Sequence, residues 1–373
     1  MLAGFLLGPT CFGFLAPHAF SAFFTPAGIH WIGQLATLIV TSYCFIIGLE
    51  FDASHLQGRK TAMALVALVS AFLPAVLGYV VAGYLSSWLP AGAPTAFKLA
   101  VAICFAATAF PVLLRILEDS GLSTGALGNL SIGISAVLEL LIWASLPIVL
   151  AFAKASNPAQ AGTAILWVAG FLFISFTVIR RALGWLWARI PSECLASWLL
   201  LAFVGIASAW LTERLGIHAN FGAFVGGFIV PRAVSFKLAK KIKIPCVTLL
   251  PVFFAATGLK TSLNLGSPGQ ILLLFGFTLL AYSAKAIGTC LAAKLTAGLD
   301  WNAALTIGHL MCSKGAIGFA IIETCRSTGL LDARGYSILA FVILANTVMS
   351  AWGVLLHRRW ADRIALSTSP IHL

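Results

Sequence analysis

Charge is what this chain has least of. Only 9% of its 373 residues are Asp, Glu, Lys or Arg, against roughly 25% in an ordinary soluble domain. With 60% hydrophobic residues and a mean hydropathy of +1.01, a soluble core of this size cannot hide the apolar surface. Acids are scarcer still, 11 in all. The eight cysteines are scattered without metal-ligand spacing, so they read as small packing residues and give no metal site. Strict polar/apolar alternation is missing from runs such as Ile271-Leu-Leu-Leu-Phe275, which argues against a membrane barrel and leaves helices. Met1-Leu-Ala-Gly-Phe-Leu-Leu-Gly-Pro9 carries no basic stretch ahead of its apolar residues and does not read as a signal peptide.

What the chain does have is one apolar stretch after another. A bilayer core about 30 Å thick needs roughly 20 apolar residues per helix. Such spans are predicted at 29–49, 61–86, 96–117, 125–153, 161–179, 195–212, 217–230, 244–263, 269–293, 301–325 and 336–356, after an apolar fragment at 1–17. The expected fold is an all-α membrane protein with about twelve membrane segments, the first one partial.

The net charge of +12 is a topology signal. Assigning alternate loops to alternate sides puts fifteen of the 23 Lys and Arg on one side and six on the other. By the positive-inside rule the richer side is cytoplasmic, and the C-terminus with it. The basic surplus therefore does not imply a nucleic-acid partner; the partner is the lipid bilayer. The remaining two cations, Lys285 and Lys314, lie inside apolar segments.

Charges at bilayer depth are costly and mark function. Glu139 is the acid predicted to sit mid-helix, in Gly133-Ile-Ser-Ala-Val-Leu-Glu139. Its two oxygens can bind a proton or act as hard ligands for a small cation, so the two ions compete for one group. The alternative is a protonated Glu making one interhelical hydrogen bond. Pro111 interrupts the span 96–117 and frees a carbonyl one turn earlier, so Thr108-Ala-Phe-Pro111 reads as an unwound stretch. Cys312-Ser313-Lys314-Gly315 breaks the span 301–325 in a corresponding place. Interrupted helices in matching positions of two halves point to a midplane transport site. The segments 61–86, 96–117 and 125–153 leave the cytoplasm where 269–293, 301–325 and 336–356 enter it, so the two triplets form an inverted repeat.

Lys285 is the expected partner of Glu139, because an unpaired buried ammonium is expensive. Lys314, at the second break, is expected to neutralise the carbonyl end of a half-helix. Either lysine could instead snorkel to an interface. His309, one turn before that break, reads as a proton relay or as a packed polar group. Gly222-Ala-Phe-Val-Gly226 is a small-residue face suited to close helix packing.

Taken in order, Leu2-Ala-Gly-Phe-Leu-Leu-Gly-Pro9, Gly48-Leu-Glu-Phe-Asp52, Thr108-Ala-Phe-Pro111 with Leu113-Leu-Arg-Ile-Leu117, Gly222-Ala-Phe-Val-Gly226, Pro251-Val-Phe-Phe-Ala-Ala-Thr-Gly-Leu-Lys260 and Lys314-Gly315 carry a resemblance almost from end to end. The chain resembles the cation:proton antiporter-2 family, a branch of the sodium/proton exchangers that includes bacterial potassium-efflux antiporters and plant cation/proton exchangers. The resemblance implies an inverted-repeat antiporter fold with two crossed, broken helices. It also implies a homodimer in an inner or plasma membrane that exchanges Na⁺ or K⁺ for H⁺ by alternating access, and a transporter rather than an enzyme.

Its domains follow as panel helices at 1–58, a core first repeat at 59–155, a linker helix at 156–191, further panel helices at 192–266, a core second repeat at 267–357 and a cytoplasmic tail at 358–373. Glu139, Thr108 and Ser135 are the expected cation and proton ligands, Lys285 and Lys314 the charge-compensating groups, and Pro111, Ser313 and Gly315 the helix breaks. No cofactor or metal is expected.

Three departures stand out. Family members carry Asp-Asp, Asn-Asp or Gln-Asp where this chain reads Leu138-Glu139. By resemblance the chain begins inside the family's second helix. The nucleotide-binding regulatory domain of many potassium-efflux relatives is expected to be absent, and dinucleotide gating with it. A solute carrier or symporter of the same fold and a transport-defective membrane protein stay open as alternatives.

Overall fold

A computed structural model describes residues 6–9, 11–50, 60–84, 95–123, 125–154, 158–191, 194–216, 218–259, 261 and 268–368. After two short helical turns at Phe12–Leu15 and Pro17–Phe23, the helices are α1 (Pro26–Glu50), α2 (Lys60–Tyr84), α3 (Thr95–Ala106), α4 (Phe110–Asp119) and α5 (Ala126–Lys154). Next comes α6, which runs from Pro158–Ile174 through a π-helical stretch, Ser175–Ile179, into Arg180–Trp187. Then follow α7 (Leu195–Arg214), α8 (Ala219–Ile229), α9 (Arg232–Leu259), α10 (Pro268–Ala297), α11 (Trp301–Met311), α12 (Gly315–Ser327) and α13 (Ala333–Thr368). Helices dominate because lipid offers the backbone no hydrogen bonds, so each segment must satisfy its own.

Among the described residues, nine helices are long and apolar enough to cross a membrane. They become ten when α11 and α12, bent by 41° at their break, count as one span. The expected span at 217–230 is the 11-residue α8, about 17 Å long and too short to cross alone. Asp52 and Lys260, quoted in the family motifs, lie outside the described residues, as do positions 1–5 of the N-terminal fragment. The expected tail at 358–373 is helical as far as Thr368.

The chain divides into two compact units. The first comprises Met1–Phe51, Trp143–Asn264 and Glu323–Ser337; the second comprises Asp52–Ile142, Leu265–Ile322 and Ile338–Leu373. Three of these divisions fall inside α5, α12 and α13, away from the expected boundaries at 155 and 357.

The first unit is held by very close helix approach. A Cβ on Gly48 would run into the Phe224 carbonyl, and one on Gly227 into the Phe45 carbonyl, so α1 and α8 touch backbone to backbone. Gly222 and Gly226, the small-residue face read from sequence, lie against Ser208 and Thr212 of α7. Inside this unit Thr41 donates to Asn220 Oδ1 at 2.7 Å, and Asn220 Nδ2 donates to Thr324 Oγ1 at 3.2 Å.

In the second unit, one apolar cluster gathers Met63 and Val66 of α2, Leu113 and Leu117 of α4, Ile134 and Leu138 of α5, and Leu310 and Met311 of α11. The segment of α5 that carries Glu139 therefore shares a core with both interrupted helices.

Candidate functional site

The two interruptions are short. Residues 107–109 separate α3 from α4, and residues 312–314 separate α11 from α12. Each break leaves a helix end with orphan carbonyls and a helix start with orphan N–H groups, and these must find partners at membrane depth. They find them largely in each other. The Ala109 N–H donates to the Ser313 carbonyl at 2.7 Å, and the Thr108 hydroxyl donates to the Met311 carbonyl at 2.6 Å.

Gly315 makes the contact possible. It adopts φ +43°, and a Cβ there would collide with Val112 Cγ2 and come within 3.2 Å of the Ala109 Cβ. Pro111 sits in the first turn of α4, where its missing N–H costs nothing intrahelical, so the interruption itself precedes it. What Pro111 removes is the donor that Ala107 O would otherwise have received four residues on.

Both buried lysines serve the carbonyl end of α3. Lys314 Nζ donates to the carbonyls of Cys104 (2.9 Å), Phe105 (2.8 Å) and Ala107 (3.3 Å). Lys285 Nζ donates to Ala106 O and, at 3.2 Å, to Ser70 O. Four successive carbonyls at the negative end of one half-helix thus face two ammonium groups, which suits the helix dipole.

A common rule underlies the two lysine positions. Ser70 precedes Pro74, inside α2, by four residues, so its carbonyl lacks the usual helical donor just as Ala107 O does. Each of these two carbonyls is met by a lysine. The ion pair expected between Lys285 and Glu139 is not among the hydrogen bonds of Lys285, whose ammonium is spent on backbone carbonyls. Ser70 also accepts from Thr289 at 2.8 Å, tying α2 to α10 beside Lys285.

The second break is finished by α13. The Thr347 hydroxyl accepts from Lys314 N (3.3 Å) and Gly315 N (3.0 Å), capping α12, while its own hydrogen goes to Ile343 O at 2.7 Å. The carbonyl end of α11 receives neutral donors: Ser350 Oγ to His309 O at 2.7 Å, Ser313 Oγ to Leu310 O at 2.9 Å, and Thr108 Oγ1 to Met311 O. His309 Nδ1 lies 2.6 Å from the Tyr282 hydroxyl, and its ring stands 6.3 Å from that of His357.

Glu139 is buried in α5, with only 1% of its surface exposed. Ser135, one turn earlier on the same helix, is also buried and donates to Ile132 O at 3.0 Å. Leu138, beside Glu139 in the chain, is fully buried in the apolar cluster. The structure therefore brings Thr108, Ser313, Lys314, Gly315 and Lys285 together around α3, and places Glu139 and Ser135 one helical turn apart on α5.

Sequence reading missed Ser70 with Pro74, Tyr282, Asn346, Thr347 and Ser350. The proline gives a signal, since a Pro with a Ser four residues before it in an apolar span predicts an orphan carbonyl beside a hydroxyl. Nothing local distinguishes Thr347.

Two interrupted helices joined break to break, inside a unit built from two helix triplets, define the inverted-repeat transporter class of multi-pass membrane proteins. Residues 1–354 match the family described as sodium/hydrogen exchanger, transmembrane, and the chain belongs to that family. It is 28% identical over 363 residues to the Na⁺/H⁺ antiporter NhaS4 of Synechocystis, covering 94% of this chain and 88% of that protein. It is 29% identical to cation/H⁺ antiporter 17 of Arabidopsis thaliana and 27% identical to K⁺/H⁺ antiporter 1 of Saccharomyces cerevisiae. Each match takes in 94% of this chain but spans only 44% and 42% of those longer proteins. In fold it resembles the sodium proton antiporter MjNhaP1 of Methanocaldococcus jannaschii, with TM-scores of 0.61 and 0.66 at 15% identity, covering 98–100% of this chain and 90–91% of the other.

Proposed function

We propose that this protein exchanges a monovalent cation, Na⁺ or K⁺, for protons by alternating access, with Glu139 as the group that carries either ion. The observation that supports it most is a single buried carboxyl on α5, in the same packed unit as two joined helix breaks. Relatives named as sodium, potassium and general cation/proton antiporters are consistent with the reading. Ser135 and Thr108 are the neutral oxygens proposed to complete the cation shell. Each donates its hydrogen to a carbonyl and so keeps its lone pairs for a metal ion.

The carbonyls of the first break contribute when a lysine lets go of them, since in this arrangement each of the four faces an ammonium whose charge repels a second cation. Lys285 and Lys314 then act as charge compensators. They hold the negative end of α3 while the site is empty of cation, and they hinder the entry of a second positive charge. Because one carboxylate takes one proton or one cation, each ion weakens the apparent affinity for the other.

The protein is proposed to work as a homodimer in an inner or plasma membrane with its C-terminus cytoplasmic. The exposed apolar residues of the first unit, such as Leu199, Phe203, Ile206 and Trp210, are available for lipid or for a second copy. Purified protein in vesicles loaded with a pH-sensitive dye tests the exchange. A NaCl or KCl gradient should drive proton flux through the wild type, and Glu139→Gln should abolish it. Flux retained in that variant would remove Glu139 from the mechanism, and flux requiring an organic solute would favour a symporter.

A further inference from the structure

The proposed ion ligands Glu139, Ser135 and Thr108 all come from the first repeat, and the second repeat carries its own buried polar group in the matching place. Glu139 lies thirteen residues beyond the first residue of α5 (126 to 139), and Asn346 lies thirteen residues beyond the first of α13 (333 to 346). Each follows an interrupted helix in chain order. Asn346 is completely buried. Its Nδ2 donates to Val342 O at 2.8 Å and lies 3.5 Å from Thr278 O on α10. Turning the amide over would set Oδ1 against those two carbonyls, so the orientation is fixed by chemistry.

Oδ1 then receives no hydrogen bond from the described residues. A buried amide oxygen with no donor is disfavoured inside a membrane protein, and it needs a reason. The surroundings supply one. Thr347, the next residue, caps the start of α12, and Ser350, one turn on, donates to the last turn of α11, so this stretch of α13 spans the second break.

The two breaks differ in charge. The carbonyl end of α3 is held by two ammonium groups, whereas the donors recorded on the carbonyl end of α11 are neutral: hydroxyls, the Cys312 thiol and backbone N–H groups. The negative end of the α11 dipole therefore keeps no formal positive charge upon it among the described hydrogen bonds. An oxygen acceptor without a donor, one helical turn before the Ser350 that reaches this uncompensated negative helix end, suits a cation and repels an anion.

We propose that Asn346 supplies a neutral oxygen ligand to the transported monovalent cation at the second break, making it a cation-specific station distinct from the carboxyl that exchanges the proton. This rests on the cation-exchange reading, but its binding test does not need exchange to occur. A neutral amide adds cation affinity without adding a titratable group, so its removal lowers affinity for the cation and leaves proton binding alone.

The test uses the full chain with Asn346→Leu, which keeps volume and removes the oxygen, and Asn346→Asp, which keeps shape and adds charge. Stabilisation by NaCl, KCl or LiCl is measured as the rise in the detergent-solubilised protein's unfolding temperature, against choline chloride at equal ionic strength. Asn346→Leu should weaken the apparent cation affinity about tenfold. In vesicles its KM for cation should rise by a similar factor, with the rate at saturating cation within about twofold of wild type. Asn346→Asp should bind the cation more tightly, with a steeper pH dependence than the wild type shows. If Asn346→Leu does not fold, the Asp variant alone decides between the outcomes. Unchanged cation stabilisation in either folded variant overturns the proposal, as does a loss of maximal rate without a change in KM. Wild-type protein that binds cation yet moves no protons would sink the exchange reading and leave the role of Asn346 standing.

Discussion

Replacing Thr347 by Val tests whether the second break is held by the hydroxyl of α13. Val has the shape of Thr and fills the same space, so packing is unchanged and only hydrogen bonding is lost. Two buried N–H groups, Lys314 N at 3.3 Å and Gly315 N at 3.0 Å, would lose their acceptor. A buried group left without its partner costs about 1–3 kcal/mol. The longer of these two bonds belongs at the low end, so the pair together should cost roughly 2–4 kcal/mol. Ile343 O, which receives the Thr347 hydrogen, lies within α13 and keeps its helical N–H, so it adds little. Thr347→Ser retains the acceptor and should fall within about 1 kcal/mol of wild type.

The consequence is local as well as global, because these two N–H groups fix where α12 begins and hence where Lys314 leaves the backbone. Reversible unfolding in mixed micelles gives the stability difference, and vesicle flux gives the activity. We expect Val to be destabilised and slowed while Ser is close to wild type in both. A Val variant within about 0.5 kcal/mol of wild type would refute the capping argument, since that is the scatter of an ordinary neutral substitution.

Other substitutions follow from the same geometry. Lys314→Met removes the ammonium from three carbonyls and Lys285→Met from two, so the first should lower the unfolding midpoint more than the second, by about 3 against 2 kcal/mol in stability. Equal effects in a thermal melt would argue against the count of carbonyls as the cause. Gly315→Ala forces a Cβ into Val112 at a positive φ and should cost about 2–4 kcal/mol; pairing it with Val112→Ala should recover part of that loss, and no recovery would mean that backbone strain alone is responsible. Asn220→Leu breaks the Thr41 and Thr324 bonds inside the first unit and should destabilise the protein by about 1–3 kcal/mol without altering the cation KM, which steady-state flux can read.

Much of the fold was legible because the bilayer imposes it. A chain with almost no charge must satisfy its backbone internally, and the apolar runs mark the helices that do so. The breaks were legible from Pro111 and from Ser313-Lys314-Gly315, though the proline stands in the first turn of α4, just past the interruption it helps to cause. Glu139 was legible as an acid within an apolar span.

The partners of the lysines were not. A charge read alone in a helix suggests the opposite charge as its mate, whereas the carbonyl four residues before Pro74 and a carbonyl at the end of α3 compete for the same ammonium and are fixed in place. Lys285 on Ser70 O and Ala106 O is the result. Predicting it requires knowing that α2 and α10 pack together, which no spacing along the chain reveals. The shortness of α8 was legible, since Gly216 and Pro231 bound an apolar run shorter than the roughly 20 residues a span needs.

The central claim is that one carboxyl carries both ions, and its most direct measurement is the apparent cation KM of vesicle exchange as a function of pH, in wild type and in Glu139→Gln. Simple competition predicts that the wild-type KM rises as pH falls, approaching about tenfold per pH unit once the carboxyl is mostly protonated, with the maximal rate at saturating cation much less affected. The Gln variant should show no coupled flux at any pH. A KM independent of pH across the active range, or coupled flux surviving in Glu139→Gln, would contradict the account.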